Sequence, residues 1–117
     1  MTQPSPADEL RAAAEKLREH ADAASPGPWT EGGVGDFGWN VAFPTPGTGA
    51  GLEDSEQGRA DAAYIALMDP DVGHALADWL DYHAAMSDRL AQLFDDPPLI
   101  PDDHPALAVA RALNGDR

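Results

Sequence analysis

Nine of the eleven glycines and four of the eleven prolines in this 117-residue chain fall within residues 25–58. That concentration decides the layout, because glycine costs a helix interior about 1 kcal/mol relative to alanine and proline about 3 kcal/mol. The stretch must therefore be turns, strands and loops, and the alanine-rich sequence on either side must supply the helices. Two short runs inside it alternate well enough to be strands, residues 29–31 and 38–43. Gly32, Gly33 and Gly35 between them give the freedom for a hairpin turn. Thr45, Pro46, Gly47, Thr48, Gly49, Ala50 and Gly51 offer almost nothing to bury and read as a mobile loop. Trp29, Phe37, Trp39, Val41 and Phe43 carry enough apolar area to pack this segment onto helices.

Four helices are expected around it. The first spans residues 5–24, with Ser5 as its cap, Pro6 in its first position and Asp8 and Glu9 at the positive end of its dipole. Leu10, Ala13, Ala14, Leu17, Ala21 and Ala24 recur at spacings of three and four and define its buried face. A second helix covers 55–68, with Ala60, Ala63, Tyr64 and Leu67 on one side. Asp69 caps a third, which opens on Pro70. Its residues Val72, Leu76, Trp79, Leu80, His83, Met86, Leu90, Leu93 and Phe94 fall within an arc of about 140°, and Asp71, His74, Asp78, Asp81, Ala85 and Asp88 occupy another of about 100°. A proline-rich connector, residues 95–103, leads to a last helix that starts near Asp103 or His104 and stops at Asn114-Gly115. The expected fold is a helix-dominated α+β single domain, 1–117, divided into an N-terminal helix (1–24), a Gly/Pro-rich hairpin and loop (25–58), central helices (59–94) and a connector with the C-terminal helix (95–117). About four helices carry a short β-hairpin packed on one side.

Charge narrows the partners. With 21 acidic and 7 basic residues the net charge is −14, and phosphate backbones and anionic lipid repel such a chain. Direct nucleic-acid binding and membrane binding are therefore not expected. Residues 53–103 carry thirteen acids against Arg59 and Arg89, so the field belongs to the middle and later parts of the chain. Without cysteine there is no disulfide, thiolate metal site or thiol nucleophile. The opening Met1-Thr2-Gln3-Pro4-Ser5 has no basic-then-apolar signal pattern, and no stretch reaches the roughly 20 apolar residues of a membrane span. A soluble, cytoplasmic protein is expected.

No catalytic residue is assigned. Ser5, Ser25 and Ser55 sit where helices begin or end, Ser87 sits in no strand-to-helix elbow, and the glycines of residues 47–51 lack the lysine of a phosphate loop. An enzyme is not expected, and neither is a cofactor. The acidic arc of the third helix supplies the candidate binding residues Asp71, His74, Asp78, Asp81 and Asp88. Two further readings attach to it. His74 and Asp78, four residues apart, have the spacing of a surface metal site, which would need ligands from elsewhere. The carboxylates could also imitate a phosphate backbone, but Asp71 to Asp88 spans about 25 Å with four carboxylates, where duplex DNA would carry about fifteen charges. Mimicry would require acids from other segments on the same side. His83, central in the apolar arc, reads as a core histidine bonded to a carbonyl or carboxylate. His20 reads as surface, and His104 as part of a helix start.

Two stretches together carry a family likeness. Ala24-Ser25-Pro26-Gly27-Pro28-Trp29 follows an amphipathic helix. Asp61-Ala62-Ala63-Tyr64-Ile65-Ala66 is then followed by Pro70 and by Ala75-Leu76-Ala77-Asp78-Trp79-Leu80. In this order they resemble the ead-like early-region accessory proteins of phages, whose small relatives occur in actinobacterial genomes and mobile elements. The tail His104-Pro105-Ala106-Leu107-Ala108-Val109-Ala110-Arg111 resembles theirs as well. The resemblance implies a phage or mobile-element accessory protein that acts by binding, and it brings no catalytic residues. Physically the same residues read as scaffold: Pro26-Gly27-Pro28 turns the chain, Trp29 plugs a gap over the helices, and Tyr64 and Ile65 join a core facing Leu76 and Trp79. The expected function is non-enzymatic protein–protein binding through an acidic surface, with a second copy of the chain as one expected partner because alanine-rich faces often find cover in a homodimer.

Overall fold

The computed structural model describes residues 4–33, 38–97 and 99–115. Its elements in chain order are α1 (Pro6–Ala23), β1 (Thr30–Gly33), β2 (Trp39–Ala42), β3 (Gly49–Leu52), α2 (Glu56–Leu67), α3 (Pro70–Leu93) and α4 (Pro105–Asn114). The fold is helix-dominated α+β, as the sequence predicts. No described helix is long and apolar enough to cross a membrane. The four expected segments regroup into two units, residues 1–20 with 74–117, and residues 21–73 inserted between them.

In the helical unit the core is small and built largely from alanine. Leu10, Ala13 and Ala14 of α1, Ala77, Leu80 and Ala84 of α3, and Ala106, Leu107 and Ala110 of α4 are buried together, with Leu17, Ile100, Val109 and Leu113 at the margin. The helix ends follow the sequence signals. Ser5 Oγ accepts from the Asp8 amide at 3.1 Å, and Gly115 closes α4 at φ 83°, a left-handed conformation that a side chain would strain. At the start of α4, His104 is the cap: its Nδ1 accepts from the Ala106 amide at 3.0 Å.

One expectation for α3 is corrected. Of the nine residues of the apolar arc Leu80 is buried and Leu76, His83 and Leu90 are half-buried, but Val72, Trp79, Met86, Leu93 and Phe94 are exposed. The helix is rotated so that Ala77, Leu80 and Ala84, at spacings of three and four, face the core. Alanines permit the close approach of backbones that a row of Trp and Met would prevent, and close packing outweighs the larger transfer energy of the big side chains.

In the inserted unit, β1, β2 and β3 form an antiparallel meander in the order β1-β2-β3. Thr30 pairs with Ala42 and Gly33 with Trp39, while Trp39 pairs with Leu52 and Ala42 with Gly49. Two corrections follow. Gly32 and Gly33 are strand residues rather than turn residues, and the remainder of the expected turn, with Phe37, lies outside the described residues. The stretch read as a mobile loop contains β3. Its residues have few side chains to bury, and backbone pairing with the free edge of β2 orders them instead. Gly49 is required there, because a Cβ would come within 2.6 Å of the Val41 carbonyl oxygen. The turn into β3 closes through Thr48, whose hydroxyl donates to the Thr45 carbonyl at 2.6 Å.

The helix α2 packs against all three strands. Ser55 caps it, with Oγ accepting from the Gly58 amide at 2.9 Å. Its buried residues are Gly58 and Ala62, whereas Ala60, Ala63, Tyr64 and Leu67, the expected inner face, are exposed. Ile65 is also exposed, so neither it nor Tyr64 joins a core. Gly58 is required by the turn that leads from β3 into the helix, since a Cβ there would overlap the carbonyl oxygen of Glu53, the residue after the strand.

Candidate functional site

Of the five candidate residues, Asp71 belongs to the strand-bearing unit and His74, Asp78, Asp81 and Asp88 to the helical unit. In the strand-bearing unit, Asp69 caps α3 as expected, its Oδ1 accepting from the Asp71 and Val72 amides at 3.0 and 3.3 Å. The Pro26-Gly27-Pro28-Trp29 turn lies against this cap. A Cβ on Gly27 would stand 2.8 Å from Oδ2 of both Asp69 and Asp71, and the Trp29 amide donates to Asp69 Oδ2 at 3.4 Å. Trp29 also donates from its indole to the Ser25 carbonyl at 2.8 Å and sets its ring 5.1 Å from that of Phe43. The residues that carry the family likeness here perform a local structural task.

The acidic arc of the helical unit is held by arginines of α1. Arg18 donates to Asp78 at 2.7 Å and to Asp81 at 2.5 Å. Arg11 donates to Asp8 and to Asp88, both at 2.7 Å. These bonds hold Arg18 and Arg11 more firmly protonated than a free guanidinium, and the Arg11 bond, helped by the Ser5 hydroxyl, holds the Asp8 carboxyl below its ordinary value. The carboxylates are nevertheless open to solvent: the side chain of Asp78 is 75% exposed and that of Asp88 54%. Exposed pairs of this kind add little stability each, but they fix where the oxygens point. Two guanidiniums serve four carboxylates, so an acidic surplus remains. His74 is half-buried and has an interaction partner of its own. Among the described residues no three His, Asp or Glu side chains converge in a way that could hold a metal ion.

A second arrangement was not foreseen. His83 and His104, 21 positions apart, bring their rings within 4.9 Å, edge to face. They line an open groove of about 180 Å³ together with Met86, Ser87, Leu90, Leu99, Ile100 and Pro101. His83 also meets Trp79 at 5.2 Å and Tyr82 at 5.4 Å. No hydrogen bond to the His83 ring is found among the described residues, so the expected carbonyl or carboxylate partner is replaced by aromatic edges. While it accepts from the backbone amide, His104 Nδ1 is not available to carry a proton or a metal ion. Placing a metal on Nε2 would move the proton to Nδ1 and break the cap. The signals for the pair were His83 on an apolar face and His104 beside a proline at a helix start, but only the fold of the connector joins them. His20 is exposed, as expected.

In the strand-bearing unit Trp39 is the most elaborated side chain. Its indole donates to Glu31 at 2.7 Å and the guanidinium of Arg59 sits 4.2 Å from its ring centroid. Arg59 also bonds Asp54 at 2.7 Å, which keeps that carboxyl below its ordinary value. Trp39, Phe43 and the backbone of Gly47, Gly49 and Gly51 border an open hollow of about 500 Å³.

Compared with protein-family models, with curated proteins and with solved structures, the chain matches none. The resemblance to ead-like accessory proteins accordingly rests on the motifs quoted above.

Proposed function

We propose that this protein acts without catalysis, as an accessory factor of a phage or mobile element that binds another protein through the acidic surface of its helical unit. The observation that supports this reading is the arginine-held set Asp8, Asp78, Asp81 and Asp88. A carboxylate already fixed by an arginine loses little freedom on meeting a partner, so less of the binding energy is spent on ordering it. The surplus of acid over arginine, extended by the exposed Glu15 and Glu19 of α1, selects a partner that presents lysine and arginine. Association with such a partner is steered by charge and weakens with salt.

The test is capture from the native host at low salt, with the wild-type protein and with a triple variant Asp78→Asn, Asp81→Asn, Asp88→Asn whose helical circular dichroism is checked first. A basic protein recovered by the wild type, released by salt and lost with the variant supports the reading. Equal recovery by both proteins overturns it.

A further inference from the structure

Besides the side that lines the groove with His83, Ser87 and Leu90, the helix α3 has three others, and two are accounted for: Ala77, Leu80 and Ala84 are in the core, and Asp78, Asp81 and Asp88 are held by arginines. The third consists of Ala75, Trp79, Tyr82, Met86, Arg89 and Leu93, all exposed. Their spacing is four, three, four, three, four. That is the heptad alternation of a coiled-coil seam, in which two positions per seven face a partner helix. It lies opposite the buried alanines on the same helix. The apolar members are large and open, with Trp79 36%, Tyr82 59% and Leu93 73% exposed.

We infer that this seam is closed by the same helix of a second copy of the chain, lying antiparallel. Antiparallel packing sets the first of the two heptad positions against the second, and the sequence complements itself in that arrangement alone. Ala75 then faces Leu93 of the second copy, Trp79 faces Arg89, and Tyr82 faces Met86, with each layer repeated by the two-fold axis. Small meets large in the first layer. In the second a cation meets an indole, the most favourable ring for it, and in the third a thioether meets an aromatic ring. Arg89 makes no ion pair with a described residue, although the chain has 21 acids. In a parallel pair the two Arg89 side chains would face each other and repel.

Charge also permits the approach. No acid lies on the seam, and on the flank nearest the acidic arc Asp78 would meet Gln92 and Ala85 would meet Ala85. This side of α3 therefore lets two molecules of charge −14 come together without setting carboxylate against carboxylate. The open parts of the six seam residues offer at most about 1,000 Å² in total across two copies, the lower bound for a specific interface, so the dimer is weak and depends on concentration. This surface is distinct from the acidic one proposed for the partner, and the two can fail independently.

Sedimentation velocity from about 1 to 300 μM tests it. Wild-type protein shifts from 12.3 kDa toward twice that mass, and Tyr82→Glu, a change at an exposed side chain, weakens the association by about tenfold or more. Orientation is read by cross-linking, since the chain has no cysteine of its own. On oxidation a mixture of Ala75→Cys and Leu93→Cys proteins gives a mixed disulfide dimer, while Ala75→Cys alone stays monomeric. Monomer at every concentration, a dimer indifferent to Tyr82→Glu, or efficient cross-linking of Ala75→Cys with itself would each overturn the inference.

Discussion

The two units of this chain are held together by different means. The helical unit contains three of the four largest fully buried side chains, Leu10, Leu80 and Leu107, ringed by alanines, and the strand-bearing unit contains the fourth, Val41. Where side chains are scarce the strand-bearing unit relies on its backbone: ladders between short strands, glycines at close approaches, and aromatic rings laid over the sheet. The first kind of order is sensitive to the loss of a methyl group, and the second to the gain of one.

The largest effect expected from that contrast is in the helical core. Leu80→Ala removes a fully buried side chain with little around it that can collapse, and it should cost about 2 to 5 kcal/mol, read from denaturant melts. A loss under about 1 kcal/mol would mean that the core is not where the alanines converge. In the strand-bearing unit the reverse substitution is the informative one. Gly58→Ala forces a methyl group into the Glu53 carbonyl, a backbone neighbour that cannot swing aside, and should cost about 1 to 3 kcal/mol even though alanine is the better helix former. Stabilisation by this change would show that the turn from β3 into α2 leaves room for a side chain at Gly58.

Smaller effects separate the units further. His104→Ala leaves the Ala106 amide without its acceptor and should lower stability by about 0.5 to 2 kcal/mol, with His104→Asn recovering most of the loss. If alanine and asparagine prove equivalent, the ring acts by packing on His83 rather than by capping. The smallest effect is a titration. Because Arg11 and Ser5 hold the Asp8 carboxyl below its ordinary value of 3.8, its contribution is fully present above that value and is lost as pH falls through the lower, folded one. Carbon-detected NMR should place its midpoint below 3.8, and Arg11→Gln should raise it.

Local chemistry was the legible part of this chain. Ser5, the Asp69-Pro70 pair, Ser55 and Gly115 act within three or four residues, and their roles as caps and stops follow from backbone geometry alone. The strand β3 was hidden because Gly49, Ala50 and Gly51 carry almost no pattern, and pairing with β2 is a property of the neighbour. The rotation of α3 was hidden for a related reason. Hydrophobicity ranks Trp79 and Met86 above Ala77 and Ala84, but the packing distance between helices ranks them the other way. The candidate carboxylates were recognisable as an arc, whereas Arg11 and Arg18, their holders, come from about 60 to 80 positions earlier, a separation no local spacing can report. The meeting of His83 with His104 depends on the path of residues 95–103 and could not be read from either position.

The division of α3 into a buried side, an arginine-held side and an open seam underlies both proposals, and four of its alanines test it directly. With single cysteines at positions 75, 77, 84 and 85 of a cysteine-free chain, thiol-labelling rates in dilute solution should fall into two classes. Positions 75 and 85 should react nearly as fast as a free thiol, and positions 77 and 84 should be slower by orders of magnitude. Equal rates at all four, or protection at 75 with rapid labelling at 77, would place the helix in a different rotation and contradict the account.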